Sequence, residues 1–192
     1  GVIILGNAEI SADAAEKQIE GIPASDSNGL YGGSDNSDDS GVIRYIQIRH
    51  GGTLLGDDNE INGLTLGGVG SGTTVEYVEV IGNVDDGIEC FGGSVNINHA
   101  LVWAQGDDAF DIDQSYSGTI NNFMGIADNE SDHALEIDGP EGSMIGQFTM
   151  TNGTLKGFYP GGGEYADFRK EATGTVSNTY FYNFSCDSDF EI

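Results

Sequence analysis

Acidic side chains recur in this sequence at spacings that could support ion binding or acid–base chemistry. NVDDGIEC carries Asp85, Asp86 and Glu89; GDDAFDID carries Asp107, Asp108, Asp111 and Asp113; SDHALEID carries His133, Glu136 and Asp138. From Asp85 to Asp107 the shift is 22 residues without a gap, and from Phe110 to Leu135 it is 25, after a two-residue insertion near Asp132. Aligned on this repeat, Asn62, Asp86, Asp108 and His133 form one column at a bend. Thr65, Glu89, Asp111, Glu136, Arg169 and Glu191 form a second, outward column in the strand that follows. Carboxylates stacked at the strand spacing of about 4.8 Å repel one another unless a metal, a proton or a cation intervenes. All-oxygen sets suit a hard cation, so Glu89, Asp111 and Glu136, with Asp113 and Asp138 two residues on, are candidate calcium ligands. Paired carboxyls can also act as acid and base. An inverting glycoside hydrolase needs two of them roughly 6.5–9.5 Å apart, which stacked or diagonal positions on neighbouring coils could supply.

A third acidic set lies in ASDSNGLYGGSDNSDDSG (24–41), which is almost free of apolar residues and reads as loop. Asp35, Asp38 and Asp39, with Asn36, are a composition that can wrap calcium in oxygen ligands, although the spacing is not that of an EF-hand. A plain solvated loop is the alternative.

The elements that must hold these columns follow from the same repeat. TTVEYVEVIGNVDDGIECFGG, VNINHALVWAQGDDAFDIDQSY and GTINNFMGIADNESDHALEIDG share one pattern of apolar, glycine and acidic positions. A period of this size marks a repeat architecture. Apolar and polar residues alternate in each, which is the strand period: Ile88, Phe110, Leu135 and Phe190 point inward, and Glu89, Asp111 and Glu136 outward. A second apolar run per repeat (75–80, 97–102, 120–125) is joined to the first by a bend too short for a helix. Strands so spaced predict an all-β fold, a parallel β-helix (solenoid) of about six coils. An antiparallel sandwich is the alternative, and it gives no reason for residues 22 apart to match.

Ile43, Ile46 and Ile48 align with Val75, Val78 and Val80 and open the first coil, which closes through GDDNEINGLTLGG. MIGQFTMTNGTLKG opens a fifth coil, interrupted by FYPGGGEY, and TGTVSNTYFYNFSCDSDFEI is a sixth. Residues 1–39 read as an N-terminal cap and acidic loop and 40–192 as the β-helix, one domain overall. In the cap, GVIIL is a short strand and Ser11 is predicted to N-cap a helix running to Ile19. The chain stops in mid-strand at Phe190-Glu191-Ile192, so the helix is expected to continue in a longer parent chain or to meet another subunit.

With 6 Lys and Arg against 32 Asp and Glu, the formal net charge is −26. This argues against nucleic acid and anionic membrane as partners and favours cations. No run of 18 apolar residues could span a bilayer. The absence of an initiating Met and of a signal peptide suggests a mature or excised chain. Cys90 and Cys186 fall four coils apart, too far for a disulfide, and are expected to be free and buried. His50 and His99 read as structural, and Trp103, Tyr77, Phe123 and Phe181 as filling the core or lining a coil face. Tyr159 and Tyr165 offer a sugar platform, and GGVGSG opens no helix, so it is no phosphate loop.

The coil length and the order of polar residues resemble the right-handed parallel β-helices of the pectate lyase and polygalacturonase superfamily. Polygalacturonase-like hydrolases carry Asn-Thr-Asp-Gly, Gly-Asp-Asp, Gly-His-Gly and Arg-x-Lys on successive coils. Here Asp86-Gly87, Asp107 and Asp108, His133, and Arg169 and Lys170 follow in that order. The wording departs: His133 sits in SDHAL, Arg169 and Lys170 are adjacent, and Val84 replaces threonine. YGGSDNSDDSGVIRYIQIRHGG and INGLTLGGVGSGTTVEYVEV also resemble secreted β-helix proteins of Bacteroidota-type genomes that lack an assigned activity. That likeness implies export and a cell-surface or matrix setting.

Two function classes follow. One is a non-catalytic extracellular module, structural or glycan-binding, whose acids hold calcium and whose copies stack head to tail into a fibre. The other is an inverting polysaccharide hydrolase using Asp86, Asp107, Asp108, His133, Arg169 and Lys170. An acidic sugar would need basic residues at the site, and only Arg169, Lys170 and Lys156 are near.

Overall fold

A computed structural model describes residues 1–52, 61–161 and 163–192. The GDDNE stretch expected to help close the first coil, and Gly162 of the glycine-rich insertion, lie outside the described residues. The chain forms β1 (Val2–Leu5), β2 (Lys17–Gln18) and β3 (Leu30–Tyr31), then six strand pairs. These are β4 (Val42–Arg49) with β5 (Leu64–Gly67), β6 (Thr74–Ile81) with β7 (Ile88–Phe91), and β8 (Asn96–Trp103) with β9 (Phe110–Asp113). The last three are β10 (Thr119–Ile126) with β11 (Leu135–Asp138), β12 (Phe148–Lys156) with β13 (Ala166–Arg169), and β14 (Gly174–Tyr182) with β15 (Phe190–Glu191). We number the pairs as coils 1 to 6.

Apart from β2 and β3, odd-numbered strands stack as one parallel sheet, in the order β1-β5-β7-β9-β11-β13-β15, and even-numbered strands as the other, from β4 to β14. The architecture is a right-handed parallel β-solenoid. Its six pairs amount to about five full turns, against the six expected. The repeat sets the register: Leu64 pairs with Ile88, Ile88 with Phe110 and Phe110 with Leu135. These four, with Val75, Val78, Ile97 and Ile120 from the opposite sheet, are at most 1% exposed and form a continuous core. Burying each such side chain contributes about 1.5–3 kcal/mol. Phe190 keeps its place in the column, opposite Ala166, but is 49% exposed. It belongs to the last coil, where no further strand covers it among the described residues.

The even-numbered strands are not simple alternating strands. Tyr45, Tyr77, His99, Asn122, Asn152 and Asn178 share a left-handed backbone conformation, with φ between 47° and 61°. Each inserts an extra outward residue, which is why Ile43, Ile46 and Ile48 are spaced by three and then two. Asn tolerates this conformation better than most residues. The aromatic members stack instead: Tyr45 on Tyr77 with ring centroids at 4.8 Å, and Tyr77 on His99 at 4.4 Å.

The N-terminal region differs from expectation in two ways. β1 pairs with β5 and is itself a strand of the larger sheet. The residues expected to be helical after Ser11 form bends that lead into β2, which pairs antiparallel with β3 inside the supposed loop. Ser11 is used for docking across coils rather than for capping: its N–H donates to Gln114 O, and its carbonyl and hydroxyl accept from the N–H groups of Glu141 and Gly142. Ile10, Ile19 and Tyr31 pack with Phe91 in a second, smaller core on the outward side of the larger sheet. The segment therefore lies along the flank of coils 1 to 4. Cys90 is buried and free, whereas Cys186 is exposed, because it lies past β14 in the last coil. No helix among the described residues is long and apolar enough to cross a membrane.

Candidate functional site

The bend column is built by its own side chains. Asp86 Oδ1 accepts the N–H of Asp108 at 3.0 Å, and Asp108 Oδ1 accepts the N–H of His133 at 2.7 Å, so each carboxylate caps the bend of the next coil. Gly87 lets that bend pass close to its neighbour: a Cβ there would lie 2.3 Å from Val102 and 2.6 Å from the carbonyl of Ala109. The strand column runs Thr65, Glu89, Asp111, Glu136, Asp167 and Glu191. Asp167, not Arg169, is the coil-5 member. Arg169 sits two residues on, paired with Asp138, and reaches back across the sheet with its long side chain.

In coils 2 and 3 the two columns converge. Carboxylate oxygens of Asp86, Glu89 and Asp111 lie within 4.8 Å of one another. Asp86 is 7% exposed and Glu89 6%, far below what a strand's outward face normally shows. Burial pushes all three pKa values well above the carboxylate range, and neighbouring carboxylates add to it: Asp111 for Asp86 and Glu89, and Asp108, Asp113 and Asp138 for Asp111. Asn62, 1% exposed, donates its amide N–H to Glu89, while its Oδ1 is sealed from solvent without a hydrogen-bond partner. Asp111 Oδ1 is sealed in the same way, without a hydrogen-bond partner. Among the described residues no ion pair joins a lysine or arginine to these three acids.

Coils 4 and 5 hold the rest of the ladder in a different state. Arg169 pairs with Glu136, with Asp138 at 2.7 Å and with Asp167 at 3.6 Å, and Lys170 Nζ donates to Asp138 at 2.6 Å. Asp113 accepts the Gln114 N–H at 2.7 Å, and burial raises its pKa.

His133 Nδ1 lies 2.9 Å from Asp108, 3.7 Å from Asp132 and 3.9 Å from Glu136. Its hydrogen bond to Asp108 raises the imidazole pKa to about 9, so near neutral pH it is a cation balancing the column and is not available as a ligand. Asp107, exposed at the edge of the bend beside Asp108 and Asp132, is pushed up to about 6 by partial desolvation and by those charges.

The structure does not bring the loop acids together. Asp35 accepts from Ser37, Asp38 from Asn7 and Ser40, and Asp39 from the Gly41 N–H, each closing a local contact. Tyr165 is taken up by stacking on Phe190 at 5.0 Å and packing on Phe184, which leaves Tyr159 of the supposed platform exposed alone. Tyr77 and Trp103 line the outer face of the smaller sheet and are 41% and 49% exposed. Sequence reading placed Asn62 at the head of the bend column but not in the site. Its only signal was occupying, one coil earlier, the position of Asp86.

The pectate-lyase-like beta helix domain family model matches residues 1–191, and the chain belongs to that family. No curated protein and no solved structure matches it.

Proposed function

We propose that this member of the pectate-lyase-like β-helix family is a non-catalytic extracellular module in which Asp86, Glu89, Asp111 and the Asn62 amide oxygen hold a calcium ion. The observation that carries this is the convergence of the buried Asp86 and Glu89 with the partly buried Asp111, next to Asn62, whose amide oxygen is sealed and unpartnered, with no lysine or arginine paired to them among the described residues. The donor set fits the ion: every available atom is oxygen, which suits a hard cation and disfavours zinc or copper. Calcium would supply the positive charge that Arg169, Lys170 and His133 supply one coil further on. The −26 charge and the likeness to secreted β-helices support an extracellular setting. Head-to-tail association of copies belongs to the same proposal. It is supported by β4 and β14, the end strands of the smaller sheet, each pairing on one side only among the described residues. Calorimetric titration of chelator-treated protein with calcium tests the cage. Binding that disappears in Glu89→Gln/Asp111→Asn supports it, and no heat with wild-type protein counts against it.

Hydrolysis is the second reading, and one observation favours it: Asp107 is poised near pH 6, where a carboxyl can donate a proton. Against it, Asp86 and Asp108 are buried and committed to backbone N–H groups. Release of reducing ends from polygalacturonate, abolished by Asp107→Asn, would establish hydrolysis over the non-catalytic reading.

A further inference from the structure

The strands of the smaller sheet hold half of the chain's cations and almost none of its acid. Arg44, Arg49 and Lys156 are drawn from 6 Lys and Arg, whereas Glu76 and Glu79 are drawn from 32 Asp and Glu. Arg44 and Glu76 satisfy each other at 2.6 Å. The outer face of this sheet is also where large apolar side chains lie open: Tyr45, Tyr77, Trp103, Met124, Tyr180 and Tyr182 are all exposed. Register sets most of them in two columns. From coil 1 to coil 6, one runs Gln47, Glu79, Leu101, Met124, Thr154 and Tyr180, and the other Arg49, Ile81, Trp103, Ile126, Lys156 and Tyr182. A broad face with an apolar centre and little charge has the make-up of an interface core. Here it stands on a chain of net charge −26.

We propose that this face packs against the same face of a second copy, forming a two-fold dimer whose dyad runs parallel to the strands, between coils 3 and 4. Charge selects the occupant. Elsewhere, two such chains bring acid against acid, whereas here the opposed surfaces are near neutral. Area allows it: six strands about 4.8 Å apart, each of eight residues or more at about 3.3 Å per residue, span roughly 750 Å² per copy. A stable interface needs roughly 800 Å² per partner. Charge also selects the dyad. An axis along the solenoid sets each coil on its own copy, so the arginines of coil 1 and the glutamates of coil 2 meet their like. An axis along the strands sets coil 1 on coil 6, coil 2 on coil 5 and coil 3 on coil 4, every contact being made twice. Leu101 then lies on the partner's Met124, and Trp103 on the partner's Ile126. Arg49 covers the ring of the partner's Tyr182, a cation–π contact, and Lys156 reaches the partner's Glu79. The dimer uses neither the cage nor the free edges of β4 and β14, so it goes beyond the calcium and head-to-tail reading and does not depend on it.

Sedimentation equilibrium of the whole chain in chelator, over a wide concentration range and at low and high salt, reads association without calcium. A monomer–dimer equilibrium is expected, tighter at high salt because screening relieves the repulsion between the acidic flanks. Trp103, the only tryptophan, should shift its emission to the blue as the wild-type dimer forms. Leu101→Lys and Met124→Glu each set a charge against an apolar partner and should weaken the dimer about thirtyfold or more, the scale of an interface hot spot. Mixing the two variants should restore it, because one contact of the mixed dimer places the introduced lysine on the introduced glutamate and the other is the native pair. Wild-type protein that stays monomeric in chelator would overturn the proposal, as would a dimer that forms without a change in tryptophan emission. A dimer that either variant leaves intact, or a mixture of folded variants that fails to reassociate, would overturn it too. Open-ended growth without a dimer plateau would mean that the ends associate instead of this face. A failed calcium titration with the dimer intact would sink only the cage.

Discussion

Coils 2 and 3 and coils 4 and 5 carry the same acid ladder and solve its repulsion by different means. In coils 4 and 5, Glu136, Asp138 and Asp167 meet Arg169 and Lys170, and His133 of coil 4 reaches back to Asp108 of coil 3. In coils 2 and 3, Asp86 and Glu89 are buried and Asp111 partly so, and the three meet no such cation among the described residues. The repeat dictates where a carboxylate stands, because register stacks equivalent positions. It does not dictate what neutralises it, which depends on residues that appear in one coil only. A half of the ladder left without a protein cation must take up protons or an ion from solution.

The largest effect should be blind to this difference. Phe110 is 0% exposed, sits between Ile88 and Leu135 and meets Phe123 edge-on at 5.3 Å. Phe110→Ala should cost about 3–5 kcal/mol in denaturant unfolding, equally with calcium and with chelator. A cost that depends on calcium would mean that the core and the cage are coupled.

Calcium should separate the two halves. At a hundred times its dissociation constant it should add about 2.7 kcal/mol, or roughly 5–10 °C of melting temperature. Glu89→Gln/Asp111→Asn should abolish that gain. The pH dependence has a definite sign. Because burial raises the folded-state pKa values of the cage acids, their contribution in chelator is greatest at acid pH and is lost as pH rises through those values. Calcium binds the carboxylates in their ionised form, so its gain should grow over the same rise. A melting temperature in chelator that increases through this window would contradict the cage as drawn.

Arg169→Ala should cost less, about 1–3 kcal/mol, because Lys170 remains on Asp138 while Glu136 loses its closest partner. The variant should also become sensitive to calcium in coils 4 and 5, a second binding event in the titration. Its absence would show that geometry, and not lack of a cation alone, confines the ion to coils 2 and 3.

Much of this was legible in the sequence, and the misses have physical causes. The 22-residue match fixed the stacking of Leu64, Ile88, Phe110 and Leu135, since register follows equivalence in a solenoid. The coil-5 member of the acid column was misassigned to Arg169 because the glycine-rich insertion obscures the local count; Asp167 holds the place. That the cage acids would be buried was not legible, because an alternating strand assigns a residue to the outer face without saying whether another segment covers that face. The segment that flanks the larger sheet was expected as a helix, and its β2–β3 pairing depends on residues too few to show a period. The left-handed column was visible only as the spacing of Ile43, Ile46 and Ile48.

The smallest effect concerns His133, the cation that separates the two halves. Its imidazole pKa is raised to about 9, first by the hydrogen bond to Asp108, so folding favours the protonated ring. The stability this gives is fully present below the ring's ordinary value of 6.5 and is lost as pH rises through about 9. His133→Gln can still offer a hydrogen bond to Asp108 but no charge. The difference in stability between wild type and variant should therefore be largest at pH 6 and shrink towards pH 10, while the backbone N–H of residue 133 continues to hold Asp108. If Asp108 then needs a counterion, the variant should bind calcium more tightly near Asp107 and Asp108 than wild type does. A stability difference that stays constant across this window would show that His133 fills space at the bend without carrying charge, and coils 2 and 3 would then end one acid later than the pairing implies.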